Sequence, residues 1–244
     1  MRFRLIACEV VARELRLEAA RSLHPIDIET LPKALHDLGG KRMRVHIQER
    51  VDAVDPEQYA AVLMGYALCG NGLAGIEARR VPVVIPRAHD CIALLLGSRE
   101  AYDKIIEENA GTFFRSPGWV EYGGHTMQLS GLPPEAANEL DWLMDKYGEE
   151  PGRYLYEELY RYQKNYSRLV YIDTGVGAEQ RFEQKARKEA VEREWQFEKR
   201  AGSREWFRKL VTGKWDDDFL VLQPGERSAS RWDSDILVAE AVTA

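Results

Sequence analysis

The sequence contains three cysteines, and each follows a short apolar run typical of a buried strand. Cys8 ends "FRLIAC", Cys69 follows "VLMGYAL", and Cys91 lies a few residues beyond "VVIP". Because the carboxyl ends of parallel strands lie along one edge of a sheet, we expect the three thiols to share one pocket there. Thiolates bind soft or borderline metals, so the pattern predicts a site for Zn²⁺ or a [4Fe-4S] cluster with one position open to substrate. Burial of each cysteine as a small apolar residue is the alternative.

Polar residues beside the cysteines have types suited to catalysis. His89 and Asp90 directly precede Cys91, and Glu9 directly follows the first cysteine. We predict His89 as an alternate ligand or proton carrier, and Glu9 and Asp90 as acid–base groups or as groups that orient ligands. Arg87 is predicted to anchor an anionic substrate, because its guanidinium group matches a carboxylate.

Helix N-termini are expected next to all three thiols, at Glu9, Asn71 and Cys91. The positive end of a helix dipole stabilises a thiolate, so we expect lowered thiol pKa values.

The segment "GTFFRSPGWVEYGGH" is rich in aromatic residues and glycines, and it is expected to form an irregular loop. Its Arg115 and Trp119 are predicted to bind a carboxylate and to cover the pocket. His125, at its end, is the best further histidine candidate.

A glycine loop supports a second interpretation. Gly70, Gly72 and Gly75 match G-x-G-x-x-G between a predicted strand and a predicted helix, the setting of a dinucleotide-binding loop. Asp90 lies near the place of a ribose-binding acid, and Arg87 suits a phosphorylated ribose. A plain backbone requirement for glycine is the alternative.

Apolar runs alternate with helix-period segments, which predicts an α/β fold with a mostly parallel sheet and helices on both faces, Rossmann or flavodoxin-like. We predict a core domain over residues 1–176 and a charged helical extension with a short strand over 177–244, packed on the core. One long helix is expected from Cys91 to Gly111, another from residue 133 to 148, and a frayed end from Trp232 onward.

Composition limits the function classes. Forty acidic and 34 basic residues give a net charge of −6, which argues against a nucleic-acid surface. The longest apolar runs fall short of a signal peptide or a membrane span. We therefore expect a cytoplasmic protein with reduced thiols.

The chain resembles the domain of unknown function 1638 family in "LIACEV", "GYALCGNGL", "PRAHDCIALLLGS", "GTFFRSPGW" and "GKWDDDFLVLQPGE". These segments are spread over most of the chain. The resemblance implies no established activity, and it implies a setting of anaerobic one-carbon and methyl-transfer metabolism. In that setting a methyltransferase or corrinoid protein is an expected partner, and "HDC" is similar to the His-x-Cys pair of thiol-activating zinc methyltransferases.

The main hypothesis is a metal-binding protein, expected to be a transferase or lyase acting on a small acid or thiol. The alternatives are a nucleotide-binding protein that uses the glycine loop, and a non-catalytic accessory to a methyltransferase.

Overall fold

The structure, a computed structural model, describes residues 1–122, 139–177, 180–231 and 235–242. Its main sheet has five strands in the order β2-β1-β3-β5-β9, of which the first four are parallel and β9 is antiparallel to β5. The bounds are Phe3–Cys8 for β1, Ile26–Leu31 for β2, Ala61–Gly65 for β3, Val83–Pro86 for β5 and Phe219–Leu222 for β9.

Every residue of β3 and β5 is buried, as expected for central parallel strands with both faces covered. The helices that flank the main sheet are α1 (Ala12–Ala19), α2 (Gly40–Asp52), α3 (Cys91–Leu96), α4 (Arg99–Glu108) and α9 (Glu205–Thr212). Short 3₁₀ helices cover Glu9–Val11 and Lys33–Leu38. The predicted α/β fold with a mostly parallel sheet is confirmed.

The long helix expected after Cys91 is two helices, because the chain turns at Gly97 and Ser98. Gly97 ends α3 with a φ of 73°, a left-handed conformation that favours glycine. Ser98 begins α4, and its hydroxyl accepts a hydrogen bond from the Ala101 N–H at 3.1 Å.

The segment after Gly111 was expected to form an irregular loop, but it contributes a strand to a second sheet. It is parallel throughout, with the order β6-β7-β8. The strands are β6 (Thr112–Arg115), β7 (Arg168–Asp173) and β8 (Gln196–Ala201), and the associated helices are α5 (Pro117–Tyr122) and α8 (Gln180–Glu192). Side chains alternate along β7: Leu169 and Tyr171 pack in a cluster with α8, whereas Val170 and Ile172 join the main core.

The third sheet is antiparallel, with the order β11-β10-β4. Its strands are β4 (Glu77–Ala78), β10 (Glu226–Ser230) and β11 (Leu237–Ala241). The expectation of a frayed end was wrong for β11, which pairs with β10 along its whole length. Residues 177–244 also supply β8, which pairs with β7, and β9, which pairs with β5.

Two further helices follow one another, α6 (Glu139–Tyr147) and α7 (Glu149–Leu159), before a 3₁₀ helix at Arg161–Asn165. Residues 133–138 of the predicted helix, and His125, lie outside the described residues. None of the described helices combines the length and the apolar character that a bilayer crossing requires.

Candidate functional site

The candidate site lies where the main sheet reverses its winding. The chain passes from β1 to β2 on one side and then to β3 on the other, which leaves a crevice beyond the carboxyl ends of β1 and β3. Cys8 is the last residue of β1, and its neighbour Ala7 is paired with Gly65, the last residue of β3. The Cys69 N–H donates to the His89 carbonyl at 2.9 Å, which joins the loop after β3 to the chain before α3.

All three thiols are buried in this crevice, with exposed fractions of 3%, 6% and 7% for Cys8, Cys69 and Cys91. Each lies close enough to the others for its charge state to matter to them, because the charges of Cys8 and Cys69 both raise the pKa of Cys91, and Cys8 raises that of Cys69. The strands that precede the three cysteines, β1, β3 and β5, are neighbours in the main sheet, and a shared pocket for the three sulfur atoms stays a prediction.

Burial raises the pKa of every thiol, to about 11 for Cys8 and further for Cys69 and Cys91. The expected lowering by helix dipoles was wrong because desolvation of the charged form is the larger effect. A second reason applies to Cys69. The residues that follow it form turns, so no helix begins at Asn71 and no helix dipole acts on this thiol. Free thiols in this crevice are therefore neutral at physiological pH.

Backbone N–H groups nevertheless face two of the sulfurs. The Val10 N–H interacts with the Cys8 sulfur, and the N–H groups of Ala67 and Cys91 interact with the Cys69 sulfur, each lowering the thiol pKa in part. Hydrogen bonds to sulfur stabilise the thiolate form of a cysteine. These N–H groups would therefore stabilise anionic sulfur once a bound cation offsets the cost of burying its charge.

Two side chains, those of Trp119 and Lys33, partly offset the rise of the thiol pKa values. The Trp119 indole lowers the pKa of Cys91 slightly, and its buried nitrogen makes no hydrogen bond of good geometry to the described groups. The Lys33 ammonium lies 5.9 Å from the Trp119 ring centroid and lowers the pKa of Cys8. Glu9, predicted as an acid–base group, accepts a hydrogen bond from the Lys33 backbone N–H at 2.8 Å and so fixes this segment beside Cys8.

Tyr66 is a member of the site that the sequence interpretation missed. Its side chain is 1% exposed, and its hydroxyl has no hydrogen-bond partner among the described residues. Burial, followed by the charges of Cys8 and Cys69, raises its pKa. Its place three positions before Cys69 was the available signal.

His89 does not join the thiols. Its side chain is exposed and lines a separate cavity of about 200 Å³ together with Tyr102 and Asp103. Its backbone carbonyl accepts the hydrogen bond from the Cys69 N–H. The His89 side chain is thus exposed whereas the thiols are buried, and its role as an alternate ligand or proton carrier stays a prediction.

Asp90 begins α3 as its N-cap. Its Oδ1 accepts hydrogen bonds from the N–H groups of Ile92 at 2.9 Å and Ala93 at 3.3 Å. Burial raises the pKa of Asp90, and these hydrogen bonds and one from Tyr102 oppose the rise. Capping accounts for an aspartate at this position, and its predicted catalytic role stays a prediction.

Arg87 and Arg115, predicted to bind anions, are engaged within the protein. Arg87 donates to the backbone carbonyls of Leu237 and, at 3.2 Å, Asp235, and so fastens the start of β11. Arg115 makes two hydrogen bonds of 2.7 Å to the Glu189 carboxylate. Arg115 also lines a cavity that Asp90 and Trp119 line as well. The predicted anion-binding roles of Arg87 and Arg115 stay predictions.

The glycine loop lacks the helix that a dinucleotide site requires, because β4 follows it. The three glycines have local explanations: Gly70 and Gly75 have φ values of 62° and 84°, and a Cβ on Gly72 would lie 2.5 Å from the Met43 sulfur. The dinucleotide interpretation of Gly70, Gly72 and Gly75 therefore loses its structural setting.

A cavity of about 350 Å³ lies at the start of α3, and Cys91 itself does not line it. Its wall includes Asp90 and Ile92, the chain neighbours of that cysteine, and Trp119. The other lining side chains are mostly aromatic or aliphatic, among them Tyr102 and Phe114. This volume lies at the small end of the range of ligand pockets, about 300–1,000 Å³.

The cysteines are all unpaired. Within the ranges that the structure describes, no three His, Cys, Asp or Glu side chains stand at the separations that would hold a metal ion. The sulfurs are thus neighbours without being in ligand geometry.

Comparison with protein family models identifies the family of the chain. A family model described as protein of unknown function, DUF1638, matches residues 30–211. The chain belongs to the DUF1638 family. The matched residues include Cys69, Cys91 and Tyr66, whereas Cys8 precedes them. Searches of curated proteins and of solved structures find no match.

Proposed function

We propose that this DUF1638 protein binds a thiophilic metal centre, a zinc ion or an iron–sulfur cluster, through Cys8, Cys69 and Cys91. The observation that carries the proposal is the burial of three unpaired thiols that follow the neighbouring strands β1, β3 and β5 of an α/β sheet. Soft sulfur ligands suit both centres. Three protein ligands leave a further position for substrate, as catalytic metal sites do.

Binding of a metal ion would change the protonation of the buried thiols. Buried thiols with raised pKa values carry their protons, and a bound metal ion displaces those protons. The resulting thiolates would be stabilised by the N–H donors at Cys8 and Cys69 and by the Lys33 ammonium.

Metal loading would draw the sulfurs together. A single side-chain torsion positions each cysteine sulfur, so rotation about the Cα–Cβ bonds moves it without displacing a strand. Cys69 lies in a loop with a φ of 48°, where a small backbone adjustment is also available.

The proposed metal site also bears on substrate access and on the cellular compartment of the protein. The cavity at the start of α3 would admit a small-molecule substrate to the metal. Three unpaired thiols fit a reducing compartment such as the cytoplasm.

The test is metal analysis of protein purified without oxygen, combined with an absorption spectrum. We expect about one zinc ion per chain and no colour, or iron with sulfide and broad visible absorption. The variants Cys8→Ser, Cys69→Ser and Cys91→Ser should each lose most of the metal.

The matched control is Ala88→Ser, which places a hydroxyl at another fully buried position beside the loop without removing a thiol. It should keep its metal. Metal-free wild-type protein that also fails to bind added zinc or iron under reducing conditions would refute the proposal.

A further inference from the structure

A cavity of about 560 Å³ lies beside the second sheet. Its wall is formed by the end of α7 with the 3₁₀ helix that follows, by the residues just before β7, and by the turn between α8 and β8. The volume is within the range of ligand pockets, about 300–1,000 Å³. None of the residues described at the thiol site lines this cavity, so a ligand here would be separate from the proposed metal centre.

Four half-buried aromatic rings line the cavity as two pairs. Tyr156 and Tyr160 are one helical turn apart at the end of α7, and their ring centroids are 4.5 Å apart. Tyr166 and Trp195 form the other pair, with centroids 5.6 Å apart. Phe113 packs against both members of this second pair, at 5.1 Å from Tyr166 and 5.3 Å from Trp195, and so fixes their positions. Aromatic surface that stays open on a fixed support is suited to contact with a flat ligand.

The cavity also presents polar side chains that have no hydrogen bond or ion pair within the described part of the chain. Glu157 and Glu194 provide two free carboxylates, and Lys164 provides a free ammonium group. The indole N–H of Trp195 is likewise available as a donor. Carboxylates accept hydrogen bonds only, so these groups favour a ligand that carries N–H donors on its edge.

Arg193 limits the charge of a ligand that the cavity can accept. Its guanidinium carbon lies 5.0 Å from the Trp195 ring centroid, and the group is held by Gln163 at 2.7 Å and by Glu189 at 3.3 Å. A cationic ligand would meet this cation, already placed at the indole, and the free ammonium group as well. An anionic ligand would meet the two free carboxylates, so a neutral ligand is favoured.

The backbone at Glu194 gives a further sign of function. This residue has a left-handed φ of 57° in the turn that ends α8, and the Trp195 N–H closes the turn by donating to the Ala190 carbonyl at 2.8 Å. Glycine adopts such a φ with less strain, so glutamate brings its carboxylate to the cavity at a conformational cost. Residues strained in this way are concentrated at binding and catalytic sites.

We propose that this cavity binds a neutral, planar heteroaromatic ring with N–H donors on its edge, the class to which purine nucleosides belong. The ring stacks on the aromatic pairs, and its edge donates hydrogen bonds to the Glu194 carboxylate. Aromatic side chains bind nucleobases in this way because every base presents a π face.

The test is calorimetric titration of the full chain with adenosine and, separately, with guanosine. At least one of them should bind with a dissociation constant of about 1 mM or below. Tyr156→Ala removes one stacking ring and should weaken binding about tenfold. The matched control is Tyr154→Ala, on the same helix, where the side chain is 64% exposed and does not line the cavity. It should leave the affinity unchanged.

A second variant separates binding from folding. Glu194→Gly removes the carboxylate and also relieves the left-handed backbone, so it should weaken nucleoside binding while the melting temperature stays equal to that of the wild type or rises. Weaker binding in a protein of undiminished stability cannot come from a general loss of structure.

Three results would overturn the proposal. The first is that neither nucleoside binds the wild type at about 10 mM. The second is equal affinity in the wild type and Tyr156→Ala, which would place the ligand elsewhere. The third is that choline or adenosine 5′-monophosphate binds more than about tenfold more tightly than both nucleosides, because a charged ligand contradicts the charge argument.

Discussion

Loading the site with zinc at about pH 7 should release close to three protons per ion. The pKa of Cys8 is about 11, and burial raises those of Cys69 and Cys91 further, so all three thiols are protonated before the metal binds. Zinc binds thiolates, so each ligand gives up a proton. The apparent affinity should then rise about a thousandfold per pH unit, because each proton contributes about 1.36 kcal/mol per unit and three contribute about 4 kcal/mol.

Calorimetric titration measures the proton count directly. The observed binding enthalpy, plotted against the ionisation enthalpies of several buffers at one pH, has a slope whose magnitude equals the number of protons released. Cys69→Ser should remove most of the binding heat, and Ala88→Ser should leave the slope unchanged. Zinc binding with a slope near zero would refute the reasoning, because it would show ligands that carry no protons.

Three further predictions concern side chains outside the metal ligands. Burial raises the pKa of Glu14, so its favourable contribution is complete at low pH and is lost as the pH rises through the folded-state pKa. Glu14→Gln, which keeps an acceptor for Thr174, should therefore stabilise the protein more near pH 8 than near pH 4.5 in urea unfolding. An equal effect at both pH values would contradict this. Asp90→Ala should cost about 1 kcal/mol through loss of the α3 cap, whereas Asp90→Asn should cost little in the same assay; equal losses would favour a role for the charge. Gly118→Ala should fold poorly, because a Cβ there overlaps the Val10 carbonyl, and normal yield with an unchanged melting temperature would count against that packing.

The sequence was most informative where hydrophobic burial determines structure. Continuous apolar runs predicted β3 and β5, and the ending of those runs predicted that Cys69 and Cys91 meet at one edge. The short strands were harder to predict. The sequence of β6, "TFFR", lies between a glycine and a proline, and β8, "QFEKRA", continues the charged composition of α8, so both were interpreted as something else.

The spacing of residues in the sequence did not predict the direction or the solvation of side chains. His89 lies two residues from Cys91 yet faces solvent, because the chain turns into α3 between them. The thiol pKa values depend on burial that spacing alone does not reveal. The unpaired hydroxyl of Tyr66 likewise depends on which groups surround it in three dimensions, so its place three positions before Cys69 did not predict that it has no partner among the described residues.

X-ray absorption at the metal edge, recorded on protein purified without oxygen, tests the metal site most directly. We expect a coordination shell with three cysteine sulfurs at about 2.3 Å from zinc, or an iron shell made of sulfur alone on the protein side, and loss of that shell in Cys69→Ser. A shell of nitrogen and oxygen only, unchanged by Cys69→Ser, would contradict it.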